Sequence, residues 1–117
     1  GTGGMSIVNS SNGKRVSLNA AILDELQHQD SVQIAYSDGF IAIGNYLGAE
    51  NTNYSLGKSG KSGVIYNAAL VSEVVNRFQL DYSKRTCMTF PVMDVQENKN
   101  GKVIYINMNS SLPLIQD

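Results

Sequence analysis

The stretch Asn19-Ala-Ala-Ile-Leu-Asp-Glu-Leu26 returns 48 positions later as Asn67-Ala-Ala-Leu-Val-Ser-Glu-Val74. In each copy strand-forming residues come first, Val16 and Leu18 in one and Val64, Ile65 and Tyr66 in the other. A capping asparagine follows, then an apolar helix face, then two strand-like runs. A chain of 117 residues written twice in this way does not make two independent domains, because each half lies below the size at which a lone core is stable. The halves are expected to complete one another as a single pseudo-dimeric domain over residues 5–108, with halves 5–48 and 53–108 and a tail over 109–117. Gly1-Thr-Gly-Gly4 ahead of Met5 reads as an artificial cloning scar outside the fold.

The first half divides into Ser6–Asn9 as a strand, Ser10–Gly13 as a turn, and Lys14–Leu18 as the returning strand. Asn19 suits an N-cap, since its side-chain oxygen can accept from free amides of the first turn. Ile22, Leu23 and Leu26 then form the apolar face of a short helix ending near Gln29. Ser31–Tyr36 alternates, Asp38-Gly39 is a two-residue hairpin turn, and Phe40–Ile43 pairs back. After a connector over 44–53, the second half repeats the order. It has Tyr54–Leu56, a Gly/Ser/Lys turn, Gly63–Tyr66, and a longer helix with Leu70, Val71, Val74, Val75 and Phe78 inward. Thr86–Val95, a turn at Asn98–Gly101 and Lys102–Ile106 complete it. Pro91 lacks an amide proton, so its strand is an edge there or carries a bulge. Such short parts favour a closed mixed barrel, which removes exposed edges. The apolar Leu112-Pro-Leu-Ile115 tail is free to dock or to hang loose.

The pattern Ile7-Val8, Gly13-Lys-Arg15, Val16-Ser-Leu18, Ile22, Leu26, Val32-Gln-Ile34 and Asp38-Gly-Phe-Ile-Ala-Ile43 resembles the AbrB/SpoVT swapped-hairpin β-barrel family. The resemblance covers residues 5–44 well and residues 53–108 more loosely. It implies a mainly β fold with two short helices, a swapped-hairpin (double-psi-like) β-barrel formed from two tandem ββαββ halves. Most members of that family are bacterial DNA-binding regulators or antitoxins, so the resemblance also implies double-stranded DNA as partner and a role in transcription. The family's DNA-facing residues are mostly basic and lie on the first hairpin and the helix start. Lys14 and Arg15 match the hairpin positions, and Lys58 and Lys61 occupy the corresponding loop. The helix departs, with Leu23, Asp24 and Glu25 where the family often carries arginines.

The charge pattern supports a basic face despite a net charge of −1. No acid precedes Asp24 and none lies between Glu50 and Glu73, whereas Lys14, Arg15, Lys58 and Lys61 fall in those stretches. The candidate DNA-binding set is Lys14, Arg15, Lys58 and Lys61, with Asn12 in the first turn and Tyr54 beside Lys58 as a stacking ring. Both tips are expected to point the same way, and four phosphates would give a salt slope of roughly −3.6. The alternative is a protein-binding module that keeps the barrel without DNA, an antitoxin-like partner or an inhibitor carried by a mobile element.

No enzyme is expected. Gly57-Lys-Ser-Gly-Lys-Ser-Gly63 lacks the upstream glycine of a phosphate loop, with Thr52 and Ser55 at those places, and a strand follows where a helix is needed. His28 is the only histidine, which excludes a histidine-rich metal site and a partnered nucleophile. Asp24 and Glu25 are adjacent and diverge on a helix. Cys87 reads as a small buried apolar residue, and a single thiol fits a reducing, cytoplasmic compartment. The six tyrosines read chiefly as barrel wall, and Lys84-Arg85, Lys99 and Lys102 as a solvated rim. No cofactor, metal or membrane segment is expected, and the chain is read as a monomer or weak homo-oligomer.

Overall fold

The computed structural model describes residues 4–109. Nine strands and two helices follow the chain: β1 (Gly4–Ser10), β2 (Gly13–Leu18), α1 (Ala20–Glu25), β3 (Ser31–Ser37), β4 (Phe40–Gly44), β5 (Asn53–Ser55), β6 (Gly57–Ser59), β7 (Ser62–Ile65), α2 (Ala68–Phe78), β8 (Cys87–Asn98) and β9 (Gly101–Asn107). Hydrogen bonding runs in the order β5-β3-β4-β9-β8-β1-β2-β7-β6. Every ladder is antiparallel, where a mixed barrel was expected.

Two segments join the lobes of this sheet. β8 pairs with β1 through Cys87–Pro91 and with β9 through Val92–Asn98. The change of partner comes at Pro91, and a register shift follows between Val92 and Asp94, as a residue without an amide proton requires. At the far side the outermost strands β5 and β6 are separated only by Leu56, whose N–H donates to the Asp30 carbonyl at 2.8 Å. The sheet is therefore a nearly closed antiparallel barrel.

Inside lie Met5, Ile7, Val16, Leu18, Ile41, Ile43, Ile65, Phe90, Ile104 and Ile106, all essentially inaccessible. The alternation that a half-buried strand demands sets this core. α1 adds Ile22 and Leu23, its C-cap adds Leu26, and α2 adds Leu70, Val71 and Val74. Val75 and Phe78 pack only partly buried against it. Both expected caps form: Asn19 Oδ1 accepts from the Ile22 amide at 3.2 Å, and Asn67 Oδ1 from the Leu70 amide at 2.9 Å. α1 ends at Glu25 rather than near Gln29, because Gln27 and His28 turn into the left-handed region at φ 59° and 53°. Their amides close back on the carbonyls of Asp24 and Leu23.

The ladders also obey an exchange rule. Swapping β1 with β5–β6, β2 with β7, β3 with β8 and β4 with β9 leaves the full set of pairings unchanged. In sequence the echo slips by one residue between strand and cap. Leu18 precedes Asn19 directly, whereas Ile65 is followed by Tyr66, which is 70% exposed. Tyr66 is thus outside the barrel wall, and so is Tyr46, at 47% exposed. Gly4 is a further departure: it is buried, pairs with Pro91, and accepts from the Asn19 amide at 3.2 Å, so β1 begins inside the supposed cloning scar. The apolar tail Leu112–Ile115 lies outside the described residues.

Candidate nucleic-acid interface

The strands β1, β2, β6, β7 and the first half of β8 contain no aspartate or glutamate. Their side chains alternate between the core and an open outer face. Ile7 and Val16 face inward, so Val8 and Arg15 face outward, as do Ser6, Ser17 and Thr89 in the neighbouring row. Ser6 and Thr89 share a hydroxyl–hydroxyl hydrogen bond of 2.8 Å. The outer face is thus narrow, hydroxyl-rich and free of carboxylates. Cys87 stands on it opposite Val8 and is only half-buried, not a core residue.

Cations gather at both ends of this lobe. The first hairpin turn, Ser11-Asn12, precedes β2 and carries the exposed Lys14 and Arg15 beside it. Thr86 accepts from the Asn9 amide at 2.8 Å, and the Tyr82 hydroxyl donates to the Ile7 carbonyl at 2.8 Å. These two bonds bring Lys84 and Arg85 alongside the first turn, where they add to Lys14 and Arg15. By its place in sequence this pair belongs to a solvated rim of the third hairpin. The contact that recruits them spans 75 positions and has no local signature. Asp81, the nearest carboxylate in the chain, is turned into its own loop by the Ser83 amide at 2.9 Å, a bond that lowers its pKa.

The second turn, Gly60-Lys61, has glycine at φ 61° and joins β6 to β7, so the Gly57–Gly63 run is a hairpin leading into a strand. Lys58, Gly60 and Lys61 line a cleft of about 330 Å³ with Ala20, Leu23, Asp24 and His28. His28 Nε2 lies 2.7 Å from Asp24 Oδ1 and partly engages that carboxylate. Glu25 is engaged elsewhere, by Lys102 Nζ at 2.7 Å. The acids of the first helix therefore both have partners.

The expectation that both tips point the same way is not met. β2 and β7 run antiparallel, with Val16 opposite Ile65 and Leu18 opposite Gly63. Each turn opens its own strand, so the tips lie at opposite ends of the ladder, roughly 25 Å apart at about 3.3 Å per residue. The cations also divide between faces, since Lys58 shares the side of Gly63 and Leu18, the side opposite Arg15. Tyr54 does not stack beside Lys58. It pairs with Val32 and sits half-buried in a cleft with Tyr36, Glu50 and Glu73. Asn12 is exposed in the first turn. No cluster of metal-ligating side chains occurs among the described residues, and no helix there is long and apolar enough to cross a membrane.

No protein-family model, curated protein or solved structure matches the chain.

Proposed function

We propose that the protein binds double-stranded DNA through the lobe whose strands carry no carboxylate, as a regulator built from two fused halves of a swapped-hairpin barrel. The observation that carries this reading is the charge asymmetry. Six of the nine lysines and arginines fall on the strands or turns of one lobe, Lys14, Arg15, Lys58, Lys61, Lys84 and Arg85, and those strands bear no carboxylate. Phosphate contacts dominate affinity for DNA, and a local basic surface serves them whatever the net charge of the chain. The outward hydroxyls of Ser6, Ser17 and Thr89 are of the type that donate to phosphate oxygens.

The opposed tips suit a pseudo-two-fold reader better than a clamp. Dimeric DNA-binding proteins set equivalent elements about one helical turn apart, some 34 Å, on either side of a dyad. The two turns, roughly 25 Å apart, fall within one such turn, and the exchange rule of the ladders relates them. Because one corner carries four cations and the other two, contact is uneven, and an asymmetric site is expected.

Fluorescence anisotropy with a labelled random duplex, titrated at several salt concentrations, tests the proposal. The four cations at the first turn would give a slope of log K against log salt of roughly −3.6. A variant with Lys14, Arg15, Lys84 and Arg85 changed to serine should lose most of that slope. Absence of binding at low salt, or binding that ignores these cations, would overturn it and leave the protein-binding module as the reading to pursue.

A further inference from the structure

The cleft between the second turn and the first helix holds Asp24 and His28 on one side and Lys58 and Lys61 on the other. His28 is set there by its backbone. Its φ of 53° is left-handed, and its amide donates to the Leu23 carbonyl at 3.0 Å. The imidazole thereby meets the carboxylate one turn back, with Nε2 at 2.7 Å from Asp24 Oδ1. An ionised carboxylate only accepts, so Nε2 carries a proton whether the ring is neutral or charged. The proton that comes and goes therefore belongs to Nδ1. The contact survives titration while its charge changes: the pair is net negative with a neutral ring and neutral with the imidazolium.

One proton then sets the charge of the cleft. Lys58 and Lys61 bring two positive charges. Asp24 offsets one of them while the ring is neutral and neither once the ring is charged. The other charged groups near His28 do not line the cleft. Glu25 is held by Lys102 Nζ of β9 at 2.7 Å, and Asp30 is exposed on the connection to β3. The pair is also confined to one half of the echo. At the offset of 48 positions Asp24 becomes Ser72 and His28 becomes Asn76, so α2 has no counterpart. His28 is the only histidine, and carboxylates and lysines keep their charge across the range in which a histidine titrates.

We propose that protonation of His28 turns the second turn from a weak into a strong phosphate contact, so that affinity for DNA rises as pH falls. The inference rests on the DNA reading above and adds its regulation. A phosphate approaching Lys58 and Lys61 meets the Asp24 carboxylate while the ring is neutral, and like charges repel. With the ring charged that repulsion is cancelled, and Nδ1–H becomes a charged donor for a phosphate oxygen. Bound DNA thus favours the imidazolium, and binding takes up a proton. The gain is whole below the range in which a histidine titrates and is lost as pH rises through it. The first turn, with Lys14, Arg15, Lys84 and Arg85, has no histidine and keeps its contribution throughout.

Anisotropy of a labelled random duplex with the whole chain, at about pH 5.5 and about pH 7.5 and one ionic strength, tests this. Binding should be about threefold tighter at the lower pH, the scale of one solvated charge pair. His28→Asn should remove the difference, and asparagine suits the site because it tolerates left-handed backbone. Asp24→Asn should bind at the higher pH about as tightly as the unaltered chain does at the lower one. Equal affinity at both pH values, a difference that persists in His28→Asn, or no gain from Asp24→Asn would overturn the switch and leave the DNA reading standing. No binding at either pH would overturn both.

Discussion

The Tyr82 hydroxyl and the carbonyl of Ile7 are joined at 2.8 Å across 75 positions. This bond ties the segment after α2 to the first strand and places Lys84 and Arg85 at the first hairpin turn. Tyr82→Phe keeps the ring, which packs against the core, and removes only the donor. The expected loss of stability is about 1 kcal/mol, read by denaturant unfolding. Under the DNA proposal the same variant should bind more weakly with all its cations intact. Unchanged stability would mean the hydroxyl does not anchor the segment.

The two asparagine caps sit in helices belonging to the two halves of the echo and make the same bond three residues on. Asn19→Ala and Asn67→Ala should each cost about 1 kcal/mol. The two sites share no partner, so the double variant should lose the sum to within about 0.5 kcal/mol. Unfolding must stay a single transition throughout, since the two lobes share one core. Two separate transitions would show that the halves fold independently.

Alkaline pH should unfold the protein through its buried phenols. Burial first, then Glu73, raises the Tyr36 phenol, and burial first, then Cys87, raises that of Tyr82. A phenol in the unfolded chain titrates near 10. A proton held more tightly in the folded state contributes stability that is whole below that value and is lost as pH rises toward the folded one. Onset of unfolding is therefore expected above about pH 10, with part of the tyrosinate absorbance appearing together with the loss of structure. Tyr82→Phe should flatten the alkaline limb, and an unaltered limb would count against this cause.

Local physics made much of the fold legible. Alternation over Ser31–Tyr36, the Asp38-Gly39 turn and both caps were readable because each depends on neighbours in sequence. Pro91 announced an interruption, which came as the change of partner and register shift in β8. Other features depend on contacts made only after folding. Lys58 and Ser59 belong to a Gly/Lys/Ser run with little strand character and become strand because Gly63 and Ser62 pair with them across a turn. Gly4 looked dispensable and is buried by β8. Of the candidate site, Lys14 and Arg15 were legible as cations on a hairpin. Their association with Lys84 and Arg85 depended on Tyr82, and the opposed direction of the tips on the antiparallel pairing of β2 with β7. Glu50, Glu73, Tyr36 and Tyr54 were scattered letters until α2 packed beside β3.

Gln33 offers the sharpest test of how the acidic cleft is held. It is the buried polar residue among the described positions, 2% exposed, and its amide is satisfied on both sides. Its Oε1 accepts from the Leu47 amide at 2.5 Å, and its Nε2 donates to Asn53 Oδ1 at 3.0 Å and more weakly to the Asn51 carbonyl at 3.4 Å. These bonds pin both ends of the loop that carries Glu50. Gln33→Leu fills similar space but leaves the Leu47 amide and the Asn53 side chain without their partner. The cost should be about 1–3 kcal/mol, because buried polar groups without partners forfeit their hydration. Hydrogen exchange should rise first over residues 47–53, ahead of global unfolding. Retained protection across the loop would show that Leu47, packed over Gly44, holds it without help from Gln33.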